Sequence, residues 1–166
     1  MTTFDGLLFT LTLFAALGCG LIAGVFFAFS AFVMKALSRL SPVEGIAAMQ
    51  SINIAVINPV FLAAFLGTAA ACVFVMISAL LRWQDPGAVY LLVGGALYLV
   101  GSFLVTIVFN VPKNEALASV APADPESASL WAGYLANWTA WNHVRTVAAL
   151  AAAASLTIAL SYGKAQ

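Results

Sequence analysis

Charge is what this sequence has least of. Only 7% of its 166 residues are charged and 64% are hydrophobic, whereas about 25% of a typical soluble domain is charged. A surface so poor in charge cannot keep a globular domain in solution, so a soluble enzyme and a disordered chain are excluded. Six basic and six acidic residues cancel to zero, which leaves no basic face for nucleic acid. The composition predicts an integral membrane protein with one domain over residues 1–166.

Residues that hold metals and cofactors are equally scarce. The sequence has one histidine, His143, and two cysteines, Cys19 and Cys72. One histidine excludes bis-histidine haem ligation and a multi-histidine metal centre, and two cysteines form neither a disulfide framework nor a metal cage. The sequence also lacks a GxxxxGK[ST] phosphate loop and a GxGxxG string after a strand. We therefore expect no metal and no classical redox cofactor.

Four uncharged runs are long enough to cross a bilayer as helices. They lie between Asp5 and Lys35, Glu44 and Arg82, Asp85 and Lys113, and Arg145 and Lys164. A spanning helix needs about 20 apolar residues. We therefore predict an all-α, four-helix transmembrane bundle with spans over residues 7–34, 52–81, 87–111 and 138–162. Acidic residues are absent from these runs, which argues against a proton-coupled transporter.

The second uncharged run is longer than one span requires. It follows Ser41-Pro42 and contains Asn58-Pro59. A proline inside a helix removes one backbone hydrogen bond and disfavours a straight axis. We therefore predict a short interfacial helix over residues 43–57 that bends into span two.

The fourth helix is also expected to extend beyond its span. Asp124-Pro125-Glu126 has the form of an N-cap, a proline at the first helical position and an acid in the first turn. This string predicts a helix from about residue 125 to residue 162. Residues 113–124 are then the main polar connection.

Basic residues near the span ends predict the orientation. Arg82 and Lys164 lie on the side of the two termini, and the opposite side has Lys35, Arg39 and Lys113, with Arg145 near its edge. Cytoplasmic loops have more basic residues, so we expect both termini outside the cytoplasm of a bacterial inner membrane. The N-terminal MTTFDG string lacks the basic residue of a cleaved signal peptide, and we expect span one to remain in the mature protein.

Polar side chains of different spans gather at one end of the predicted bundle. Because successive spans alternate in direction, one end receives Gln50, Asn53 and Asn58 of span two, Thr106, Asn110 and Asn114 of span three, Asn137, Asn142, His143 and Arg145 of span four, and Ser30 and Met34 of span one. At about 100° per residue, a narrow stripe of helix four contains Trp131, Tyr134, Trp138, Trp141, Asn142 and Arg145. His143 lies more than 90° from that stripe.

These converging stripes predict a binding pocket in the cytoplasmic half of the bundle. An unpaired amide in hydrocarbon costs several kcal/mol, and an arginine within a span usually faces the bundle interior or a wet cavity. Aromatic rings would form the walls, and amides with one guanidinium would supply the polar groups. Three other interpretations stay open: an aromatic belt at the membrane interface, amides that link helices, and an Arg145 that snorkels to headgroups.

Four strings support a family resemblance. They are GVFFAFSAFVMKAL (24–37), MQSINIAVINPVF (49–61), TIVFNVPKNEAL (106–117) and WTAWNHVRT (138–146). On these strings the chain resembles the anthrone oxygenase-like membrane family, which was first catalogued as a domain of unknown function. The resemblance covers nearly the whole chain and implies a four-span helical protein. It also implies oxidation of an anthrone to an anthraquinone with molecular oxygen, the reaction of characterised members in aromatic polyketide pathways.

The resemblance and the polar stripes together suggest roles for individual residues. We expect a cofactor-independent monooxygenase for an anthrone-like or other lipophilic aromatic substrate. Arg145, Asn142 and Asn110 would stabilise the enolate. His143 is the one side chain that ordinarily titrates near neutrality and suits a base, although its helical phase points away. A water molecule held by Asn114 or Gln50 is the alternative. The expected substrate contacts are Gln50, Asn53, Thr106, Asn114, Trp138, Trp141 and Tyr134.

Two other functions remain open at this stage. One is a non-catalytic membrane protein that binds a quinone-like or lipid ligand or supports a partner enzyme, and the other is a small transporter. The expected partners are a lipophilic aromatic molecule and the lipid bilayer, with no nucleic acid. Glycines in the spans, among them Gly20, Gly24 and Gly94, predict close helix packing within the bundle, with a homo-oligomer as the alternative.

Overall fold

The structure, a computed structural model, describes residues 3–162. Every regular element among these residues is helical. The α-helices are α1 (Thr3–Ala28), α2 (Met34–Leu37), α3 (Pro42–Ala55), α4 (Pro59–Leu81), α5 (Ala88–Ala96), α6 (Val111–Ala118) and α7 (Ser127–Tyr162). Three π-helical segments join some of them, namely π1 (Phe29–Val33), π2 (Leu97–Leu104) and π3 (Thr106–Asn110).

Four helices in this part of the chain are long and apolar enough to cross a membrane. They are Asp5–Leu37, Pro59–Leu81, Ala88–Ala118 and Ser127–Tyr162. The predicted all-α fold with four spanning helices is therefore confirmed. Met1, Thr2 and Lys164 lie outside the described residues. The retention of span one and the membrane orientation, which partly rest on them, remain predictions.

The second span begins later than predicted. Residues 56–58 separate α3 from α4, so the span starts at Pro59 and not at residue 52. The Asn58 side chain caps α4, because its Oδ1 atom accepts hydrogen bonds from the backbone N–H groups of Val60 at 3.1 Å and Phe61 at 3.0 Å. Proline at the first helical position needs no such partner. The predicted helix before span two is present as α3.

A capping box starts α3 at the expected place. Ser41 precedes Pro42, and its Oγ atom accepts from the Glu44 backbone N–H at 3.4 Å, while the Glu44 carboxylate accepts from the Ser41 backbone N–H at 3.2 Å. This reciprocal pair satisfies two backbone donors that the first turn of a helix leaves free. The S/T-x-x-E/Q pattern of residues 41–44 thus marks the beginning of α3.

The third and fourth spans also differ from the predicted boundaries. Span three runs to Ala118, so about half of the predicted 113–124 connection is helical. Helix α7 starts at Ser127, because Asp124–Glu126 form a turn in which the Ser127 N–H donates to the Asp124 carbonyl at 3.0 Å. The interpretation of Asp124 as an N-cap was therefore wrong. The turn uses the backbone oxygen of this residue.

Small residues let the helices approach closely away from the polar end. The buried core of this half of the bundle includes Ala15, Cys19, Cys72, Ala149, Ala152 and Leu156. A Cβ atom added to Gly94 would lie 2.7 Å from Leu156 Cγ, so this glycine is required for close packing. Gly20 and Gly24 have open space around the Cβ position, so the prediction that they pack within the bundle was wrong.

A second core occupies the other end of the bundle, next to α3. Its buried members come from spans one, three and four and from α3, and they are Met34, Leu37, Ile46, Met49, Leu117, Trp131, Tyr134 and Trp138. Gly45 permits this contact, since a Cβ atom there would lie 2.8 Å from the Trp131 ring. Helix α3 therefore covers the same end of the bundle that holds the polar stripes.

Candidate functional site

The predicted stripe of α7 faces the interior of the bundle. Trp131, Tyr134, Trp138, Asn142 and Arg145 are all buried. Arg145 is 4% exposed and Asn142 is fully covered. The stripe therefore does not form an aromatic belt on the outer surface, and Arg145 does not snorkel out of the bundle.

Arg145 makes its hydrogen bonds to neutral groups on two helices. Its Nη1 atom donates to Thr106 Oγ1 at 3.1 Å, and its Nη2 atom donates to Asn142 Oδ1 at 2.6 Å. The Nε atom is buried and has no hydrogen-bond partner among the described residues. The Nε–H is therefore available to another group.

Two aromatic rings face the Arg145 guanidinium. The Cζ atom lies 4.0 Å from the centroid of the Phe26 ring and 5.1 Å from the centroid of the Trp138 ring. The negative face of an aromatic ring attracts a cation at such distances, by up to about 2 kcal/mol where water is excluded. Spans one and four thus hold the charge between ring faces.

Asn142 ties span four to span one beside Arg145. Its Nδ2 atom donates to the Phe26 carbonyl and to Ser30 Oγ, both at 2.7 Å. Ser30 Oγ also lies 3.1 Å from Thr146 Oγ1, which donates to the Asn142 carbonyl at 2.8 Å. Because every polar atom of the Asn142 side chain is engaged, its amide oxygen is held in place for Arg145.

Wide π-helical turns form the two segments opposite α7. Segment π1 begins at Phe29 and contains Ser30, and π3 begins at Thr106 and ends at Asn110. Short π-helical stretches inside α-helices are rare, and many of them occur at functional sites. Both of them lie here next to the same arginine and asparagine of α7.

Asn110 and Asn114 contact the part of α7 that precedes Asn142. Asn110 Nδ2 donates to the Trp138 carbonyl at 3.2 Å, while its Oδ1 atom is buried and without a partner among the described residues. Asn114 Oδ1 accepts from Tyr134 Oη at 2.9 Å and from Trp138 Nε1 at 2.8 Å. Asn114 therefore fixes the orientation of the two rings.

Asn53 is the residue that α3 contributes to this cluster. Its side chain lies beside the Tyr134 hydroxyl, and its Nδ2 atom is buried with no partner in the described chain. The structure thus brings together eight of the predicted site residues, and three of them retain a buried polar atom without a hydrogen-bond partner among the described residues. The eight are Asn53, Thr106, Asn110, Asn114, Tyr134, Trp138, Asn142 and Arg145.

Three predicted site residues lie outside this network. Gln50 Nε2 donates to the backbone carbonyls of Leu117 at 2.8 Å and Val120 at 3.0 Å, which fastens α3 to the end of span three. Trp141 stacks on Phe109 with ring centroids 3.6 Å apart. His143 is exposed on the outer face of α7, as its helical phase indicated. The geometry gives these three residues no contact with Arg145.

Two contributors to the site were missed from the sequence. Thr146 follows Asn142 by four residues, so the helical period did place it on the same face. Phe26 carries no such signal, because span one has many phenylalanines and only the fold shows which one meets Arg145. A search for polar residues therefore finds the hydrogen bonds and overlooks the ring that holds the cation.

The chemistry of the site is that of one fixed positive charge among aromatic rings. The described residues include no group of three or more His, Cys, Asp or Glu side chains that could hold a metal ion. Hydrogen-bond donors that are already oriented and shielded from water stabilise a negative charge that develops on oxygen. The described residues thus provide a buried cation that can stabilise negative charge on an oxygen atom.

Comparison with known proteins places this site within a described family. Residues 58–155 match the family model described as anthrone oxygenase. The match covers more than half of the chain and includes Thr106, Asn110, Asn114, Asn142 and Arg145. No curated protein and no solved structure matches the chain.

Proposed function

This chain belongs to the anthrone oxygenase family, and from that membership we propose that it is a membrane-embedded oxygenase that oxidises an anthrone-like aromatic substrate with molecular oxygen. The observation that supports this proposal most directly is the environment of Arg145. The residue is 4% exposed, its guanidinium lies against two aromatic rings, and its Nε–H has no partner among the described residues. A cation in these surroundings suits an apolar substrate with one oxygen that becomes negative.

The aromatic residues around Arg145 suit a flat, membrane-soluble molecule. Phe29 and Trp138 have ring centroids 5.6 Å apart, and Trp138 and Tyr134 have centroids 6.0 Å apart. An anthrone offers fused rings to such surfaces and one carbonyl oxygen to a donor. Ring stacking would orient the substrate, and the hydrogen bond to its oxygen would fix its position.

The reaction balances without an added reductant. Loss of a proton from the anthrone methylene gives an enolate, whose carbon transfers electrons to molecular oxygen and forms a carbon–oxygen bond. The peroxide anion formed takes back a proton, and the resulting hydroperoxide loses water as its carbon becomes the second carbonyl. One oxygen atom thus enters the quinone and the other leaves as water, while the methylene supplies all the electrons.

The role of Arg145 in this proposal is to stabilise the enolate oxygen. The free Nε–H would donate to that oxygen, while Asn142 keeps the guanidinium in position through the 2.6 Å bond to Nη2. Asn110 lies one helical turn from Thr106 and would contact a neighbouring polar group of the substrate. Donors that are already oriented stabilise the negative charge of the enolate oxygen without having to reorganise.

The acceptor of the methylene proton needs separate consideration. His143 is exposed on the outer face, Gln50 is bonded to two backbone carbonyls, and Asn114 Oδ1 already accepts two hydrogen bonds. We therefore assign the acidity of the substrate to Arg145 itself, since stabilising the enolate makes loss of the proton to water easier. His143 remains a predicted base without a supporting contact.

Oxygen uptake tests this function. Purified protein in nanodiscs would be supplied with anthrone, and uptake and quinone formation would be followed together. We expect Arg145→Ala to lower turnover by about 10²- to 10³-fold, the usual cost of losing one oxyanion donor. Arg39→Ala is the matched control, because Arg39 is exposed at the same end of the bundle. Equal rates for both variants and for empty nanodiscs would contradict the proposal, since anthrones also autoxidise.

A non-catalytic role is the second candidate, and one observation favours it. Most polar atoms of the site already bond one another, as in the chain from Thr106 through Arg145 and Asn142 to Ser30. A protein that only holds a quinone-like ligand would need no base and no further donor. Retention of a quinone during purification, together with no oxygen uptake, would support this second role.

A further inference from the structure

We propose that the site binds its aromatic ligand as an oxyanion, a phenolate or an enolate, already in the ground state. The ligand then supplies the negative charge that the protein itself does not place beside Arg145. This inference relies on the proposed function for the location of the site, and it concerns the charge of the bound ligand and not its oxidation.

The positions of all acidic residues support the proposal. The chain has six, and Asp5 and Asp85 bond Arg82 at the opposite end of the bundle, each at 2.9 Å. Glu44 bonds Ser41 at the start of α3. The remaining three, Glu115, Asp124 and Glu126, are exposed. Arg145 is therefore a buried cation without a carboxylate partner among residues 3–162.

The titratable groups around Arg145 lead to the same conclusion. Span one contributes Phe26 and Ser30, and π3 contributes Thr106, none of which titrates near neutrality. Helix α7 contributes Asn142, Trp138 and Tyr134, and the Tyr134 hydroxyl donates its proton to Asn114. The described residues around Arg145 thus include no group that becomes an anion under ordinary conditions.

An unpaired charge in a low-dielectric interior is unfavourable unless something compensates it. Two neutral hydrogen bonds and two ring faces compensate Arg145 in part, and Nε is left over. An oxyanion on an aromatic ring matches both features, because its oxygen accepts the Nε–H and its ring contacts Trp138 or Phe26. A phosphate or a chloride ion would use only the charge.

The experiment uses a probe that cannot be oxidised by the proposed reaction. 2-Hydroxyanthraquinone absorbs at different wavelengths as a phenol and as a phenolate, so its ionisation can be read while it is bound. The full-length protein would be placed in nanodiscs of phosphatidylcholine, whose net charge is zero. We expect the bound probe to be half ionised about one pH unit or more below its value in empty nanodiscs, which corresponds to about tenfold tighter binding of the anion.

Two variants identify the source of this preference. Arg145→Gln should remove the shift, while Arg39→Gln should keep it, because Arg39 is an exposed arginine at the same end of the chain's bundle. 2-Methoxyanthraquinone has the same ring system and cannot ionise. We expect the wild-type protein to bind it about tenfold more weakly than the phenolate, and as tightly as the neutral form of 2-hydroxyanthraquinone.

Several outcomes would overturn the inference. They are an unshifted ionisation in the wild-type protein, equal binding of the methoxy and phenolate probes, no binding of the phenolate, and a shift that Arg39→Gln abolishes. The wild-type measurement needs no variant, so it stands even if Arg145→Gln does not fold. Anion preference without oxygen uptake from anthrone would reject the oxygenase and keep this inference, whereas uptake without anion preference would do the reverse.

Discussion

The half of the bundle around Cys19 and Leu156 and the half around Arg145 are built from the same four helices, yet they treat polar atoms differently. In the first half, hydroxyls mostly bond backbone carbonyls, as Tyr98 Oη does with Phe65 at 3.1 Å and Ser155 Oγ does with Tyr90 at 2.8 Å. Thr68 and Ser102 have buried hydroxyl oxygens without a partner among the described residues, and both are neutral.

The second half uses bonds between side chains of different helices around a buried cation. Arg145 and Asn142 link spans one, three and four through Thr106 and Ser30. The first half shows that close packing of small residues holds these helices together without such a network. A charged residue within a span is costly to bury, and for this reason we infer a functional role for Arg145.

Shortening a buried side chain in the apolar half should cause the largest loss of stability. Leu156 is fully buried against Gly94, so Leu156→Ala leaves a cavity. We expect a loss of about 2 kcal/mol, the lower end of the range for buried leucines, because in lipid the packing term remains and the transfer term is small. Denaturation in detergent would measure it. Oxygen uptake per folded molecule should stay unchanged.

The matched control for this truncation is Leu150→Ala on the same helix. Leu150 is 61% exposed, so the same substitution removes little packing and should change stability by no more than about 0.5 kcal/mol. An equal loss of stability in both variants would show that the apolar half does not hold the bundle through close packing.

Removing the ring support should have a smaller effect on stability and a specific effect on the site. Asn114→Leu deletes the acceptor of both Tyr134 and Trp138. Two interhelical hydrogen bonds at about 0.6 kcal/mol each predict a loss near 1 kcal/mol. The freed rings should also weaken binding of 2-hydroxyanthraquinone, which fluorescence quenching of tryptophan would report.

Asn137→Leu is the control for that experiment. Asn137 is exposed on α7 and bonds only its own helix, at Gly133. We expect no loss of probe binding in this variant. If both variants bind the probe as the wild-type protein does, Asn114 does not position the rings for a ligand.

The sequence is enough to predict the four spans and the end at which polar residues meet. Charged residues bracket the spans, and the helical period of α7 separates Asn142 and Arg145 from His143. Both signals are local. The start of span two was less clear, because residues 52–57 are uncharged and, apart from Asn53, apolar. The cap at Asn58 depends on a side chain that bonds the backbone two and three residues ahead.

Other parts of the site depend on information that the sequence does not contain in local form. No characteristic residue pattern in the sequence marks the π-helical turns around Ser30 and Thr106. These turns change which side chains meet α7. The choice of Phe26 to face Arg145 depends on how span one rotates against span four. The involvement of Gln50 in fastening α3 depends on carbonyls that become available only where span three ends.

The smallest expected effect concerns a charge in water, which contrasts with the buried charge of Arg145. Hydrogen bonds from the Ser41 side chain and backbone keep the pKa of Glu44 below its ordinary value. A lowered folded-state pKa means that the capping interaction is fully present above the unfolded-state pKa and is lost as pH falls through the folded-state pKa. The first turn of α3 should therefore be less protected in Glu44→Gln than in the wild-type protein at neutral pH, and equally protected in acid.

Hydrogen exchange of the first-turn amides of α3 would measure the difference, with Glu115→Gln as an exposed control. A ratio of exchange rates that stays constant with pH would reject the capping role of the carboxylate.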